Sequence, residues 1–127
     1  MSAKKQKKTN PEGSVLYAQR ISEFMLEKKA LDIKVIDVRK ITTLTDFFVI
    51  CTSESQPQTR AITDHINEQL QKDGIKAWHI EGYEYLDWVL MDYINIVVHV
   101  FSRESRDYYE LERLWADGYI TQVEDKK

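Results

Sequence analysis

The chain is poor in the residues from which several common functional sites are built. Its 127 residues include one cysteine, Cys51, which excludes an internal disulfide and cannot form a thiolate zinc site alone. Its four glycines are scattered, so neither a P-loop nor a dinucleotide-binding fingerprint is present. A Gly-x-Ser-x-Gly nucleophile elbow is also absent. These absences exclude the commonest phosphate-binding loops and one familiar serine nucleophile.

Long hydrophobic runs are missing as well. No run approaches the roughly 20 residues of a membrane-spanning helix. The basic N-terminus, MSAKKQKKTNPEG, lacks the apolar segment of a signal peptide. With 43% hydrophobic and 31% charged residues, the composition is that of an ordinary soluble chain. We therefore predict one cytoplasmic domain, large enough for a single core.

Charge is unevenly distributed along the chain. Four lysines lie within residues 1–10, and without them 14 basic and 21 acidic residues remain, a net charge of −7. Such a body disfavours a nucleic-acid reader and suits a basic protein partner. The alternative is that the charge only keeps the domain soluble. Residues 1–13 are predicted to be a disordered basic arm, whose lysines could contact RNA phosphates.

The hydrophobic pattern predicts an α/β fold. Ser14 is a plausible N-cap for an amphipathic helix ending near Lys29. Strands over residues 33–38 and 46–52 follow as antiparallel neighbours, with Ile41 and Leu44 anchoring the connection between them. The remaining predicted elements are a helix entered over residues 53–57 and ended by Gly74, a strand over 76–80 that completes a β-α-β crossover from 47, a helix over 103–116 and a polar tail over 119–127.

The central feature is a predicted β-hairpin, with runs over residues 86–91 and 94–101. The second run is dense in β-branched residues and predicts a strand buried on both faces. We place Trp88, Asp92 and Tyr93 at one end of the hairpin. Strand alternation puts Trp88, Leu90 and Asp92 on one face, with Asp87, Val89 and Met91 on the other. Spacing alone favours core packing over docking for the first face.

Candidate catalytic groups are few. The three histidines, His65, His79 and His99, lack metal-ligand spacing, although His79 and His99 could meet across strands. Strand-borne acids at Asp37, Asp46, Asp87 and Asp92 are reminiscent of metal-dependent nucleotidyl transfer. That chemistry usually places a Gly-Ser turn beside a strand, and none lies there. We predict no enzyme, no metal and no cofactor.

Several segments, in order and at these spacings, resemble the ribosomal silencing factor family, also called RsfS or Iojap-like. The resemblance covers about residues 16–116. The segments that carry it are residues 37–39, 45–50, 55–56, 81–82, 88–93, 97–101 and 106–115.

The resemblance implies a single domain over residues 14–118, with about five mixed strands covered by helices. The fold would be nucleotidyltransferase-like without the catalytic residues. It further implies binding to the large ribosomal subunit through ribosomal protein L-fourteen, which would sterically block association with the small subunit and repress translation under nutrient limitation. The docking residues it implies are Trp88, Leu90, Asp92 and Tyr93. Homodimers are also implied.

Two alternatives remain from the residues, a metal-dependent nucleotidyltransferase-like enzyme and a dimeric adaptor for a non-ribosomal protein. One position departs from the family pattern. Family members commonly have glycine after the Asp-Tyr pair, where this chain has Ile94. A β-branched residue disfavours positive φ, so we expect a turn of different shape here.

Overall fold

One mixed sheet organises the described part of the chain, residues 11–109 and 119–123 of a computed structural model. The strand order is β3-β4-β5-β2-β1-β6. The elements are α1 (Pro11–Glu27), β1 (Leu31–Asp37), β2 (Phe47–Ser53), α2 (Gln56–Lys72), β3 (His79–Glu81), β4 (Trp88–Asp92), β5 (Ile96–Ser102), α3 (Arg103–Tyr109) and β6 (Tyr119–Val123). The predicted mixed α/β class is confirmed.

The two central strands, β2 and β5, pair in parallel from Phe47–Ile96 to Ser53–Ser102. Every residue of β2 is buried, and five of the seven residues of β5 are buried too. This confirms that both apolar runs form strands covered on both faces, as expected for a parallel pair rich in β-branched and aromatic residues. β4 pairs antiparallel with β5, which confirms the predicted hairpin.

The two edges of the sheet differ from expectation. β6 pairs antiparallel with β1, so residues 119–123 form a strand where a polar tail was predicted, and the described sheet has six strands. At the other edge, β3 runs in the same direction as β2 but is separated from it by β5 and β4. The β-α-β crossover therefore joins strands of parallel direction that are not neighbours.

The helix starts were predicted with mixed success. α2 begins as expected, with the Ser55 hydroxyl accepting from the Gln58 amide at 3.1 Å. The choice of Ser14 as N-cap was wrong, since α1 begins at Pro11 and includes residues assigned to the basic arm. The buried Ser14 Oγ donates instead to Asp46 Oδ2 at 2.8 Å, so it ties the helix to the start of β2. Residues 1–10 and 110–116 of the predicted arm and final helix lie outside the described residues.

The sheet separates two apolar clusters. The face packed against α1 and α2, here called the helix face, carries Val49, Cys51, Val89, Met91, Val98 and Val100, all fully buried. Burial raises the pKa of the Cys51 thiol to about 12, which fits an inert core side chain. The opposite face, here called the Trp88 face, carries Ile36, Val38, Phe48, Ile50 and Phe101, with Trp88 and Val97 packed against them.

The connection between β1 and β2 is not anchored as predicted. Ile41 is 40% exposed and Leu44 is 77% exposed. Instead of these side chains, two backbone hydrogen bonds of 2.9 Å hold the connection. Val38 N donates to the Asp46 carbonyl, and Asp46 N donates to the Asn95 carbonyl. The second bond joins this connection to the turn between β4 and β5.

None of the helices that the structure describes has the length and apolar character needed to cross a membrane.

Gly82 lies against the backbone of Trp88, the first residue of β4. Its φ is +84°, and a Cβ added there would lie 2.0 Å from the Trp88 carbonyl oxygen. Gly74 has a similar φ of +79° but nothing within 4 Å of an added Cβ. The two glycines therefore share a backbone conformation and differ in available space.

We predict that Gly82→Ala lowers the free energy of unfolding by about 3 kcal/mol, because both the positive φ and the steric clash oppose a side chain. Gly74→Ala, the matched control, should cost only about 1 kcal/mol from the backbone conformation. Urea unfolding of both variants measures the difference. Equal losses would show that the Trp88 carbonyl can move away at no cost.

Candidate docking surface

The predicted docking residues occupy both ends of one strand and its following turn. Trp88 begins β4 and Asp92 ends it. Four steps of about 3.4 Å separate them by roughly 14 Å. The expectation that Trp88, Asp92 and Tyr93 lie together at one end of the hairpin was therefore wrong. The apolar run begins at Leu86, but Leu86 lies in the loop before β4 with a φ of +64°.

Alternation along β4 follows the prediction. Val89 and Met91 are fully buried on the helix face, while Trp88, Leu90 and Asp92 are half-buried. Cross-strand pairing places Leu90 beside His99 of β5 and beside Glu81 of β3. The structure thus brings Trp88, Leu90 and Asp92 onto the Trp88 face.

Tyr93 does not share that face. Its ring packs against the helix-face core, and its hydroxyl donates to Asn67 Oδ1 of α2 at 3.1 Å. Burial raises the pKa of this phenol above its ordinary value. Tyr93 therefore fastens the turn to α2, and a docking role for it would involve only its exposed part.

Trp88 has a fixed orientation. Its indole Nε1–H donates to His99 Nδ1 at 3.0 Å, and its ring stacks on Phe101 with centroids 4.9 Å apart. His99 also meets Phe48 edge-to-face at 5.3 Å. Stacked and edge-to-face aromatic pairs of this kind stabilise beyond their buried area. The hydrogen bond to His99 and the stacking on Phe101 therefore hold the indole ring in place.

His99 was not among the predicted site residues. It is 4% exposed, and burial lowers its pKa to about 3. Because Nδ1 accepts from Trp88, the imidazole is neutral and carries its proton on Nε2. That buried Nε2 has no hydrogen-bond partner within the described chain. The hairpin alternation, which sets His99 opposite Leu90, was a signal that could have identified it.

The predicted meeting of His79 and His99 does not occur through strand pairing, since β4 lies between their strands. His79 Nε2 lies 2.6 Å from Glu81 Oε2 at the exposed edge instead. In residues 11–109 and 119–123, no group of three or more His, Cys, Asp or Glu side chains could hold a metal ion.

Asp92 has a structural task in the turn. Its Oδ1 accepts from the Ile94 amide at 2.8 Å, and its carbonyl accepts from the Trp78 amide at 2.8 Å. Asp side chains commonly bond the backbone two residues on in this way. The carboxylate thus shapes the turn on which it sits.

Ile94 has a φ of +76°, in the region that glycine favours. The expectation that this β-branched residue avoids positive φ was wrong, whereas a difference in turn shape from the family stays a prediction. A β-branched residue at positive φ is a genuine outlier and costs of order 1–3 kcal/mol. The Asp92 carboxylate and the Asn95 carbonyl, which accepts from the Asp46 and Phe47 amides, hold the turn in this shape.

The edge of the sheet around β3 and β4 is acidic. No lysine or arginine occurs between Lys76 and Arg103. The same stretch carries Glu81, Glu84 and Asp87, all exposed, and the half-buried Asp92. A surface with this charge is suited to a basic partner.

Comparison with known proteins places the chain in a family. A family model described as ribosomal silencing factor during starvation matches residues 11–127. The ribosomal silencing factor RsfS of Halalkalibacterium halodurans is 39% identical over 98 residues, covering 77% of this chain and 84% of that protein. The Bacillus subtilis RsfS is 38% identical over 98 residues, covering 77% and 83%. The chain belongs to the ribosomal silencing factor family, as the sequence resemblance indicated.

Solved structures agree with this assignment. A Chromobacterium violaceum protein superposes with a TM-score of 0.75 at 30% identity, covering 85% of this chain and 88% of that one. A Bacillus halodurans protein gives 0.71 at 34% identity, covering 90% and 99%. The relation to nucleotidyltransferases stays a prediction.

We predict that Ile94→Gly raises the free energy of unfolding by about 1 kcal/mol, because glycine relieves the positive φ. Lys29→Gly serves as the control, since Lys29 is exposed with a φ of +65° at the end of α1. Urea unfolding compares the two. Stabilisation by Lys29→Gly with clear destabilisation by Ile94→Gly would show that contacts of the Ile94 side chain outweigh the backbone strain.

We predict that His99 makes the protein less stable in acid. Unfolded His99 takes up a proton near its ordinary pKa of 6.5, whereas the folded residue remains neutral down to about pH 3. Its contribution is therefore complete above pH 6.5 and decreases as the pH falls, by roughly 2 kcal/mol between pH 7 and pH 5. His99→Phe should remove this part of the pH dependence. Urea unfolding of the wild type and His99→Phe at pH 7, 6 and 5 tests this prediction. An equal change in the free energy of unfolding with pH in the two proteins would contradict it.

Proposed function

We propose that this protein binds the large ribosomal subunit through ribosomal protein L-fourteen and sterically blocks association with the small subunit, so that translation is repressed when nutrients are scarce. The proposal starts from family membership, since the relatives are named ribosomal silencing factors. The observation that carries it to particular residues is the half-buried apolar strip of Trp88 and Leu90 on an otherwise acidic edge.

This strip has the composition of an interface centre. Tryptophan is enriched among residues that dominate binding energy, and such residues act best where surrounding contacts exclude water. Trp88 and Leu90 supply apolar area, and the exposed Glu81 lies across from Leu90 on β3. Acidic groups beside an apolar centre would orient a basic ribosomal protein and speed its association.

Steric occlusion requires no catalytic group, and three of the acids considered for catalysis, Asp37, Asp46 and Asp92, have structural partners. Asp37 pairs with Arg39 at 2.6 Å, and hydrogen bonding from Arg39 lowers the pKa of the Asp37 carboxyl. Asp46 accepts from Ser14, and Asp92 accepts from Ile94. These uses favour a binding protein over a nucleotidyl-transferring enzyme. We also propose a cytoplasmic site of action for this protein.

We predict that Trp88→Ala weakens binding to isolated large subunits by at least about 30-fold, the effect of losing one dominant interface residue. Leu90→Ser should weaken it by a smaller factor. Ile120→Ser is the matched control, because Ile120 is 38% exposed at the opposite edge of the sheet and pairs with Ile36. Co-sedimentation through density gradients at several protein concentrations measures the affinities.

Asp92→Asn tests the charge separately, because an amide oxygen can still accept from Ile94 while the negative charge is lost. We expect weaker binding with a shallower dependence on salt.

Wild-type affinity in Trp88→Ala and Leu90→Ser, with Ile120→Ser the weakened variant, would place the docking surface at the other edge and contradict this assignment.

A further inference from the structure

The orientation of Trp88 is set from inside the domain, by a residue that no docking partner could reach. His99 lies on the central strand β5 at 4% exposure, and its Nδ1 accepts the Trp88 indole N–H at 3.0 Å. The neighbouring Phe101 stacks on both rings, 4.9 Å from Trp88 and 5.9 Å from His99. The three rings therefore form one packed unit across β4 and β5.

Packing alone does not account for an imidazole at this position. Its neighbours include Phe48, Ile50 and Phe101, which are all buried and apolar. Within the described residues, His99 Nε2–H finds no acceptor, and an unsatisfied buried donor costs about 1–3 kcal/mol. A phenylalanine would fill similar space without that cost. Among the residues that the structure describes, the polar partner of His99 is the Trp88 indole N–H.

That bond determines which part of the indole can face outward. The Nε1–H edge points towards His99, so this donor is already satisfied within the domain. Without an acceptor at Nδ1, the N–H would gain by turning towards water, and the ring would leave its stack on Phe101. Preorganised interface side chains bind more tightly because less conformational freedom is lost on association.

We propose that His99 is a positioning residue, which holds Trp88 in the orientation used for docking so that the partner meets the carbon part of the indole and no indole hydrogen bond. The inference rests on the proposed function, because it concerns the same surface. It also defines the partner chemistry expected opposite Trp88, which is an apolar group or the methylene stem of a lysine or arginine.

Two variants separate positioning from packing. His99→Phe keeps an aromatic ring and removes the acceptor, whereas His99→Asn keeps an acceptor near the position of Nδ1. The first readout is the indole N–H signal of Trp88 in a two-dimensional ¹H–¹⁵N NMR spectrum of the free protein, identified by its loss in Trp88→Ala. We expect His99→Phe to shift this signal and to speed its exchange with water at least tenfold, and His99→Asn to restore part of the protection.

The second readout is affinity for large subunits, with urea unfolding measured alongside. We expect His99→Phe to bind about tenfold more weakly while its free energy of unfolding at pH 7 is equal to or above that of the wild type. His99→Asn should recover part of the affinity although it packs less well. If His99 had only a structural role, the affinity of each variant for large subunits would change in the same direction as its free energy of unfolding.

The outcomes distinguish this inference from the proposed function. Wild-type affinity in His99→Phe, with Trp88→Ala clearly weakened, overturns positioning and leaves the docking surface in place. Wild-type affinity in Trp88→Ala overturns the docking surface. The NMR signal then decides alone whether His99 orients Trp88, and an unchanged signal in His99→Phe overturns that too.

Discussion

The parallel pairing of β2 with β5 is the constraint on which the rest of the structure depends. Both strands are almost wholly buried, so each must satisfy its backbone through its neighbours and its side chains on two faces. β5 then fixes β4 by antiparallel pairing, and β4 fixes β3. The proposed docking strip therefore lies on the strand next to this buried central pair, and His99 and Phe101 of β5 contact Trp88 directly.

Much of this arrangement could be predicted from local pattern. The β-branched runs identified the central strands, and the period of two correctly separated Trp88, Leu90 and Asp92 from Val89 and Met91. Other features depend on tertiary contacts that a pattern does not carry. β6 is a short edge strand with polar residues, and the side on which Tyr93 lies is decided by its bond to Asn67. Ile94 accepts a positive φ because hydrogen bonds around Asp92 and Asn95 override its local preference.

The residues of the candidate surface combine structural and proposed binding tasks. Asp92 shapes its own turn while contributing charge to the edge, and Trp88 closes an aromatic cluster while remaining half-buried. A surface built in this way is preorganised, since its members are held by contacts within the domain before any partner arrives. The same coupling means that truncating either Asp92 or the supporting His99 to alanine would disturb the fold locally. Substitutions that remove only the charge of Asp92 or only the acceptor of His99 are therefore more informative.

Binding to the large subunit is proposed to prevent the small subunit from joining it. Light scattering during the mixing of purified subunits measures this most directly, because scattering increases as the two associate. We expect that preincubating large subunits with the protein reduces the scattering amplitude in a saturable, near-stoichiometric manner, and that Trp88→Ala has far less effect. Full subunit association while the wild-type protein is bound to the large subunit would contradict steric blocking.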